Sequence, residues 1–309
     1  MGRDPTFSVV LPAYNAGDTV AEAISSVLAQ TDSDFELIVV DDGSTDNTSS
    51  EVGRFAGDSR VRYVRQANAG LAATRNRALA DARGRYASFL DADDLLMPSY
   101  LATMRATLES APDVAFADCD FWILDDSSGR IATWSLGGIA LPRDPHDLMR
   151  LVLRRNILHY GATVRMSVLR GVGYFNPSLR ACEDVELWLR ILARGHAAVR
   201  APGRLAVYRN RSGSLSTKAT LMTSSLCEVY RLVAEEYDVP DSIRRLASAR
   251  HRAEERRLAA LTGKRRLAAS ALSLRRKFAP LRRLLPAQAR HELPTDVAAA
   301  FPKLTRSRG

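Results

Sequence analysis

The sequence is poor in cysteine and lacks both a long apolar run and an apolar N-terminal segment. Its three cysteines, Cys119, Cys182 and Cys227, are too few and too widely spaced for a disulfide framework or a zinc site, so we expect small core residues in a reducing compartment. No run of about 18 apolar residues occurs, which argues against a membrane span. Residues 1–6 lack the apolar core of a signal peptide. These absences predict a soluble, cytoplasmic protein.

Two common phosphate-binding motifs are also missing. The turn after the first apolar segment, residues 12–17, lacks the G-x-G-x-x-G fingerprint of dinucleotide-binding folds. No Walker A sequence occurs in the chain. Phosphate groups bound by this protein would therefore need a metal ion or the side chains of Arg and Lys.

The charge is divided unevenly along the chain. The 309 residues carry a net charge of +9 and have 46% apolar and 26% charged residues, as is ordinary for a soluble globular protein. From Asp241 onward there are 18 Lys and Arg against five Asp and Glu, which leaves the rest of the chain at −4. The high isoelectric point therefore describes a basic tail rather than the whole protein.

Apolar segments of strand length alternate with segments of helical character over the first 120 residues. This order predicts an α/β fold with a mostly parallel sheet and helices on both faces. The predicted strands are residues 7–11, 35–40, 61–64, 86–90 and 114–117, and the predicted helices are 18–30, a helix capped by Ser44 or Asp46, 70–82 and 98–110.

After residue 120 this alternation ends. Residues 121–145 are typical of an irregular excursion with short antiparallel strands, and residues 196–208 predict two short strands around Pro202 and Gly203. Short helices are expected at 147–154 and 166–172. A longer amphipathic helix begins near Glu183 and carries Trp188 on its apolar face. From residue 217 to about 286 the pattern is helical.

Three polar turns follow predicted strands, at Pro12, Asp41 and Asp91. In a doubly wound sheet such turns share the carboxyl edge, where ligands bind. The third turn contains Asp91, Asp93 and Asp94, a spacing that suits a hard cation bound to phosphate oxygens. A solvated acidic turn, with an Asp capping the helix that Pro98 opens, is an equally good interpretation of this segment alone.

Two further segments each allow two interpretations. Arg75 lies one turn into a predicted helix, where it could bind a phosphate by a forked contact or simply be an exposed helix arginine. Glu183 and Asp184 stand in the first turn of a helix, where acidic residues favour the helix dipole. Catalysis is the alternative for this pair.

Together these segments resemble the family 2 glycosyltransferases of GT-A fold, over about residues 7–216. Residues 9–16 are similar to the family's opening strand and turn, 39–46 to its nucleotide-base site, and 68–76 to its diphosphate-side helix. Residues 90–94 match its D-x-D metal motif, and Glu183 with Asp184 match its acidic pair. Five matches in the right order make the resemblance specific.

The resemblance implies an inverting transfer of a sugar from a nucleoside-diphosphate sugar, with UDP expected, to an acceptor hydroxyl. Asp93 and Asp91 would hold Mg²⁺ or Mn²⁺, and Asp184 would act as the base, with Glu183 beside it. The remaining donor-site residues implied by the resemblance are Pro12, Ala13, Tyr14, Asp41, Asp42, Asn68, Arg75 and Ala92.

The resemblance also implies a division of the chain and a biological setting. Residues 1–120 would be the nucleotide-sugar half and 121–216 the acceptor and catalytic-base half of one catalytic domain, with 217–309 a basic helical extension. The acceptor would be a glycan, a lipid-linked molecule or a small molecule in envelope, polysaccharide or glycolipid synthesis. Oligomers are compatible with this expectation.

One segment departs from the family pattern. Many relatives carry a His in the loop after the acidic pair, and here Arg211 stands at that position. Arginine does not ligate a cation but can neutralise a diphosphate, so we expect Arg209 or Arg211 to close over the donor. The Gln-x-x-Arg-Trp motif and the membrane helices of the processive synthases are absent, so a polymer synthase is not expected.

Two alternative functions fit the sequence less well than that of a glycosyltransferase. A nucleotidyltransferase would need Arg or Lys in residues 12–17, which have none. A binding module could use the basic tail on anionic lipid or nucleic acid, but the tail lacks interleaved aromatic residues, so no nucleic-acid partner is expected. The apolar line from Leu267 to Leu285 predicts packing on the protein body or on a second subunit, or contact with the inner face of the membrane. His159 fits an acceptor-pocket wall or a buried structural histidine.

Overall fold

The computed structural model describes residues 3–135, 140–158, 161–211, 214–263 and 295–301. His159, Gly137, Gly138 and the apolar line of residues 267–285 lie outside them. The strands of one sheet are β1 Phe7–Ala13, β2 Phe35–Asp41, β3 Val61–Arg65, β4 Tyr86–Phe89, β5 Leu95–Leu96, β6 Val114–Asp125, β7 Ile131–Trp134, β8 Thr163–Arg165 and β9 Ala197–Asn210. The helices are α1 Val20–Leu28, α2 Thr48–Gly53, α3 Leu71–Ala80, α4 Tyr100–Ser110, α5 Pro145–Arg155, α6 Met166–Val172, α7 Glu183–Ala193, α8 Ala219–Glu235, α9 Asp241–Thr262 and α10 Thr295–Ala300, with a 3₁₀ turn at Leu215–Thr217.

The first half of the sheet is parallel, in the order β3-β2-β1-β4. Successive side chains of β1 enter different cores: Val10 packs with α3 and the later helices, whereas Val9 and Leu11 pack with α1 and α4. Every residue of β1 and β2 is buried as a result, because helices cover both faces of these strands. The prediction of a mostly parallel sheet between two helical layers is confirmed.

The second half of the sheet contains an antiparallel strand that the sequence did not predict. β8 lies between β4 and β6 and is antiparallel to both. The predicted strand at residues 114–117 exists, but as β6 it continues to Asp125 and forms a hairpin with β7. The expected antiparallel excursion after residue 120 is therefore confirmed, with longer strands than its sequence indicated.

The two short strands expected around Pro202 and Gly203 are one strand, β9. Ala201 pairs with Cys119 of β6 and Arg204 pairs with Asp120, so Pro202 and Gly203 bulge out of the ladder. Gly203 has a φ of +90°, which a glycine adopts without steric cost. A bulge thus replaces the predicted break, and β9 runs the full length of β6.

The helical C-terminal part is also different in detail. Instead of one helix from residue 217, α8 ends at Glu235 and α9 begins at Asp241, after Pro240, because proline is tolerated before a first helical turn but not inside a helix. Val229 of α8 and Ile243 of α9 lie in the same buried cluster as Trp188. The apolar core therefore continues across the predicted boundary at residue 216, and the prediction that Trp188 packs in the core is confirmed.

The last described segment returns to the far edge of the sheet. Val297 of α10 is fully buried against a small apolar cluster that includes Leu95, Trp122 and Val207. Strands β5, β6 and β9 supply these partners. In the described part of the chain, no helix combines the length and the apolar character needed to cross a membrane.

Candidate active site

The carboxyl ends of β1, β2 and β4 meet at one edge of the sheet, as expected. Ala13 lies opposite Asp41 and Val10 opposite Phe89, so the turns that follow these strands are neighbours. A cavity of about 1000 Å³ opens at this edge. The predicted site residues in its lining are Pro12, Ala13, Tyr14, Asp42, Asn68, Arg75, Asp91, Ala92, Asp93, Glu183, Asp184 and Arg211.

The β2–α2 turn, residues 41–46, is held by hydrogen-bond donors around Asp42. The Asp42 carboxylate accepts hydrogen bonds from the amides of Ala69 and Gly70, both at 2.9 Å, and from Nε2 of Gln66 at 2.7 Å. Burial opposes ionisation, but these donors hold the pKa of Asp42 below its usual value. Asn68 also donates to the Asp42 carbonyl, at 2.9 Å. Asp42 therefore joins the end of β2 to the start of α3 at the cavity wall.

Asp41 stabilises this turn from its buried side. Its side chain is fully buried and accepts hydrogen bonds from the Ser44 amide and the Tyr63 hydroxyl, both at 2.8 Å. It is not among the residues that line the cavity. The expected contact of Asp41 with the donor is not supported by this geometry, because its oxygens already shape the turn.

The start of α2 also differs from the expectation. Its N-cap is Asn47, rather than Ser44 or Asp46. The Asp46 carboxylate instead accepts hydrogen bonds from the amides of Gly17 and Thr48, both at 3.0 Å. Asp46 thus ties the turn after β1 to the turn after β2.

The β4–β5 turn, residues 91–94, gathers three carboxylates. Oxygen atoms of Asp91, Asp93 and Asp94 all lie within 4.8 Å of one another. Burial and the neighbouring Asp91 charge raise the pKa of Asp93 to about 6, and burial with both neighbouring charges raises the pKa of Asp94 further above its usual value. The turn therefore carries negative charge that its own surroundings do not balance.

Asp94 anchors the end of β9. Its carboxylate accepts a hydrogen bond of 2.6 Å from the Arg209 amide, and the Arg209 guanidinium contacts Glu22 of α1. Asp94 thus has a structural role, because it ties the β4–β5 turn to β9. Arg209 is buried and is not among the residues lining the cavity. Of the two arginines expected to close over a donor, only Arg211 lines the cavity.

Arg211 is the lining residue at the position where many relatives carry histidine. Its guanidinium pairs with Asp126 at 3.2 Å and with Asp18 at 3.7 Å. Asp18 lies just before α1, whose N-cap is Thr19. Both partners of Arg211 are partly exposed, and such pairs are weak. Arg211 can therefore exchange them for an anionic ligand at little cost.

Arg75 is buried at the centre of the site, contrary to the alternative of an exposed helix arginine. Only 1% of its side chain is exposed, and its guanidinium contacts Glu183 at 2.5 Å and Asp91 at 2.6 Å. The Phe175 ring lies 5.3 Å from the guanidinium carbon. Because both terminal nitrogens bind carboxylates, contact of Arg75 with a phosphate stays a prediction. The structure gives it a positioning role between the metal-motif turn and α7.

The acidic pair stands at the first turn of α7, next to Cys182. Burial raises the pKa of Glu183, and the Arg75 guanidinium opposes that shift. Asp184 is only partly buried and lines the cavity. The preceding residue, Cys182, has a left-handed φ of +59° as the N-cap of the helix, a conformation that is uncommon for a non-glycine residue. The chain therefore turns sharply just where it delivers Glu183 inward and Asp184 to the cavity.

Sequence reasoning missed one whole wall of the cavity. Residues 177–182 and the start of α8 form it, with Arg180, Lys218, Leu221 and Met222 in the lining. Arg180 and Lys218 stand 38 positions apart, and no local pattern indicates that α8 begins beside α7. The polar loop that precedes α8 was the one available signal.

The residues of the β4–β5 turn fit a hard divalent cation. Their ligand atoms are all carboxylate oxygens, which Mg²⁺ and Mn²⁺ prefer over nitrogen or sulfur. Burial and the nearby Asp91 charge raise the pKa of Asp93 to about 6, so its ionised form lacks full compensation. Asp93 and Asp91 line the cavity, whereas Asp94 is engaged by β9. The first two are thus the residues that could present a cation to a ligand.

Comparison of the sequence identifies its family. Residues 8–169, more than half of the chain, match the model of glycosyl transferase family 2. The putative teichuronic acid biosynthesis glycosyltransferase TuaG of Bacillus subtilis is 28% identical over 240 residues, which cover 74% of this chain and 88% of the relative. The chain spans much less of other curated relatives, such as 31% of an uncharacterized glycosyltransferase of Rickettsia felis, to which it is 28% identical over 61% of its own length.

Solved structures agree on the fold. The crystal structure of S. aureus TarS 1-349 in complex with UDP-GlcNAc matches with a TM-score of 0.69 and 20% identity, over 90% of this chain and 82% of that one. The mannosyltransferase PcManGT of Pyrobaculum calidifontis, in complex with GDP-Man and Mn²⁺, matches with a TM-score of 0.62 and 22% identity, over 99% and 89%. The mostly parallel sheet, its helices and the family match lead to one conclusion: the chain belongs to glycosyltransferase family 2 and has the GT-A fold.

Proposed function

We propose that this protein transfers a sugar from a UDP-sugar to an acceptor hydroxyl, with a divalent cation and with inversion at the anomeric carbon. The observation that carries the proposal is a single cavity whose wall includes Asp42, the pair Asp91 and Asp93, and Asp184. A nucleoside, a diphosphate and a hydroxyl group need three different partners, and these carboxylates lie on three different elements. The choice of UDP is supported by TarS, whereas PcManGT binds GDP-Man.

Asp93 is the main proposed metal ligand, and Asp91, already bound by Arg75, faces the sugar or ribose. A bound Mg²⁺ or Mn²⁺ would balance the charge of the diphosphate as it leaves. Asp42 and Asn68 would contact the nucleoside from the β2–α2 side, next to Tyr14, of which 54% is exposed. Because Asp42 already accepts three hydrogen bonds, its position is fixed before the donor binds.

Asp184 is the proposed general base. It would take the proton of the acceptor hydroxyl while that oxygen attacks the anomeric carbon and the bond to the diphosphate breaks. Glu183 and Arg75 do not contact the acceptor in this scheme. They hold the first turn of α7 against the β4–β5 turn through the two contacts of the Arg75 guanidinium, which fixes the base relative to the donor site.

We further propose an envelope glycan or its lipid-linked precursor as the acceptor, supported by the similarity to TuaG, a putative teichuronic acid biosynthesis glycosyltransferase. Contact with an anionic membrane surface fits this setting. Arg245, Arg252 and Arg256 are exposed on one face of α9 and have no ion-pair partner within the described ranges. Co-sedimentation with phosphatidylglycerol vesicles should fall when all three are changed to Gln; unchanged co-sedimentation would remove the membrane proposal.

A thermal-shift screen of UDP- and GDP-sugars with MnCl₂ or with EDTA tests the donor proposal. A nucleotide sugar at about 100 times its Kd should raise the Tm by about 5 °C, because it binds only the folded state. The shift should disappear with EDTA. No shift with any nucleotide sugar would reject the proposal and would favour the alternative of a binding module that acts through its basic tail.

A further inference from the structure

Some of the cationic side chains that line the cavity form no ion pair with an acidic residue. Four cationic side chains line it: Arg75, Arg180, Arg211 and Lys218. Arg75 and Arg211 are paired with acidic side chains. Arg180 and Lys218 are exposed, and neither has an ion pair or a side-chain hydrogen bond to another described residue. Two cations are therefore available to a ligand.

These two cations belong to the wall that carries the proposed base. Arg180 lies just before the first turn of α7, and Lys218 is the N-cap of α8. The two segments touch where the Cys182 thiol lies 3.9 Å from the Met222 carbonyl. The donor-side lining comes from other segments, residues 12–19, 42 and 68–75. A group held by Arg180 and Lys218 would thus accompany the acceptor rather than the nucleoside.

The same wall is apolar between its charges. Leu179 is buried, and Leu215, Leu221 and Met222 are half-buried, yet all four line the cavity. A wall with two free cations above aliphatic side chains suits a ligand that joins an anionic group to an apolar chain. A neutral glycan could accept hydrogen bonds from Arg180 and Lys218 but would leave both charges without a counter-charge.

We propose that Arg180 and Lys218 bind a phosphoryl group of the acceptor, while Leu179, Leu221 and Met222 contact the apolar chain that carries it. The inference rests on the proposed function, since it assigns the second substrate of the same cavity. Within that scheme the donor diphosphate is balanced by the cation at Asp91 and Asp93. A phosphate on the acceptor would need counter-charges of its own, and forked arginine contacts and lysine supply them.

Binding of decyl phosphate, below its micelle concentration, tests the proposal in the full-length protein. Calorimetric titration should show binding of decyl phosphate and much weaker binding of uncharged decyl maltoside. The double variant Arg180→Gln/Lys218→Gln should bind decyl phosphate at least about tenfold more weakly, because it loses two charge-assisted contacts. Arg170→Gln/Arg194→Gln, which removes the same charge from two exposed positions outside the cavity lining, should bind as wild type does.

The outcomes separate this inference from the proposed function. Equal affinity in wild type and in the Arg180/Lys218 variant, or equal loss in the Arg170/Arg194 control, would overturn the phosphoryl site. A matching loss of UDP affinity in the presence of Mn²⁺ would also overturn it, because the two cations would then belong to the donor site. Failure of UDP to bind wild type at all would reject the donor proposal instead. Glycerol 3-phosphate that binds as tightly as decyl phosphate, with the same dependence on both cations, would support the phosphoryl site as one for a soluble phosphate but would overturn the proposed contacts with an apolar chain.

Discussion

The β2–α2 turn and the β4–β5 turn follow the two strands that flank β1, and both are rich in aspartate. The pKa values of their carboxyl groups are nevertheless shifted in opposite directions. In the first, main-chain amides and Gln66 surround Asp42 and lower its pKa. In the second, Asp91, Asp93 and Asp94 face one another, and the pKa values of Asp93 and Asp94 are raised. The number of acidic residues does not distinguish the turns.

The supply of hydrogen-bond donors does distinguish them. A carboxylate that accepts two amide hydrogen bonds is compensated by the fold and can serve as a rigid contact. Carboxylates that mainly meet one another carry an unbalanced charge, which a cation can relieve. The first turn is therefore complete as folded, and the second is suited to a bound ion.

The largest expected effect is on the rate of catalysis and concerns Asp93 of the β4–β5 turn. Asp93→Asn should lower the rate of sugar transfer by about a thousandfold or more, because metal-assisted charge stabilisation contributes several kcal/mol. Kinetics with a UDP-sugar at a range of MnCl₂ concentrations would measure it. The Tm increase caused by Mn²⁺ with UDP should be lost in Asp93→Asn; a kept increase would contradict the metal assignment.

The second effect concerns Asp184, the proposed base, and tests whether the two acidic turns bind the donor without its carboxylate. Asp184→Asn should lower transfer by about 10² to 10⁴-fold, the range of general-base catalysis. Its donor-induced Tm shift should equal that of wild type. An active Asn variant would reject Asp184 as the base, and a lost Tm shift would place Asp184 in the donor site.

The third effect concerns stability and pH. Asp42→Asn should lower the free energy of unfolding by about 1–3 kcal/mol, because it weakens hydrogen bonds to a buried carboxylate. The pKa of Asp42 is lowered in the folded state from 3.8, so this contribution is fully present above pH 3.8 and is lost as the pH falls through the lower, folded value. Urea unfolding of both proteins at several pH values would measure the difference, and a difference that grows toward low pH would contradict the assignment.

The smallest effect has the opposite sign. In metal-free protein near neutral pH, Asp93→Asn should raise the Tm by about 1–3 °C, because it removes like-charge repulsion worth roughly 0.5–1 kcal/mol. Thermal unfolding in EDTA would measure it, with Asp42→Asn as the matched variant that must go down. A fall for both variants would show that the two turns are compensated alike.

Much of the parallel half of this fold could be predicted from local pattern. The strands that became β1 and β2 are continuous apolar runs, and α6 has the predicted bounds of residues 166 and 172. The pairing of β8 between β4 and β6 could not be predicted, because a three-residue strand has no period of its own and its partners are far away in sequence. The break at Pro240 did have a local signal, which the helical pattern on either side outweighed.

The candidate active site likewise combines features that the sequence predicts locally with features that depend on distant residues. Motif order correctly brought Asp42, Asp91, Asp93 and Asp184 to one cavity. It could not show that Arg75 is buried between two carboxylates, because that environment depends on Asp91 and on Glu183, 108 positions away. The left-handed φ of Cys182 had no signal either, since only the packing of α7 imposes it.

Helix α10 packs on β5, the strand that directly follows the β4–β5 turn, so this late segment of the chain supports the surroundings of the candidate active site. Strand β5 begins at Leu95, directly after Asp94, and its apolar neighbours are covered by Val297. Cutting the chain before residue 295 would therefore expose Leu95 and its apolar neighbours, directly after the aspartates of the β4–β5 turn. We expect such a truncation to alter the candidate active site as well as the stability of the fold.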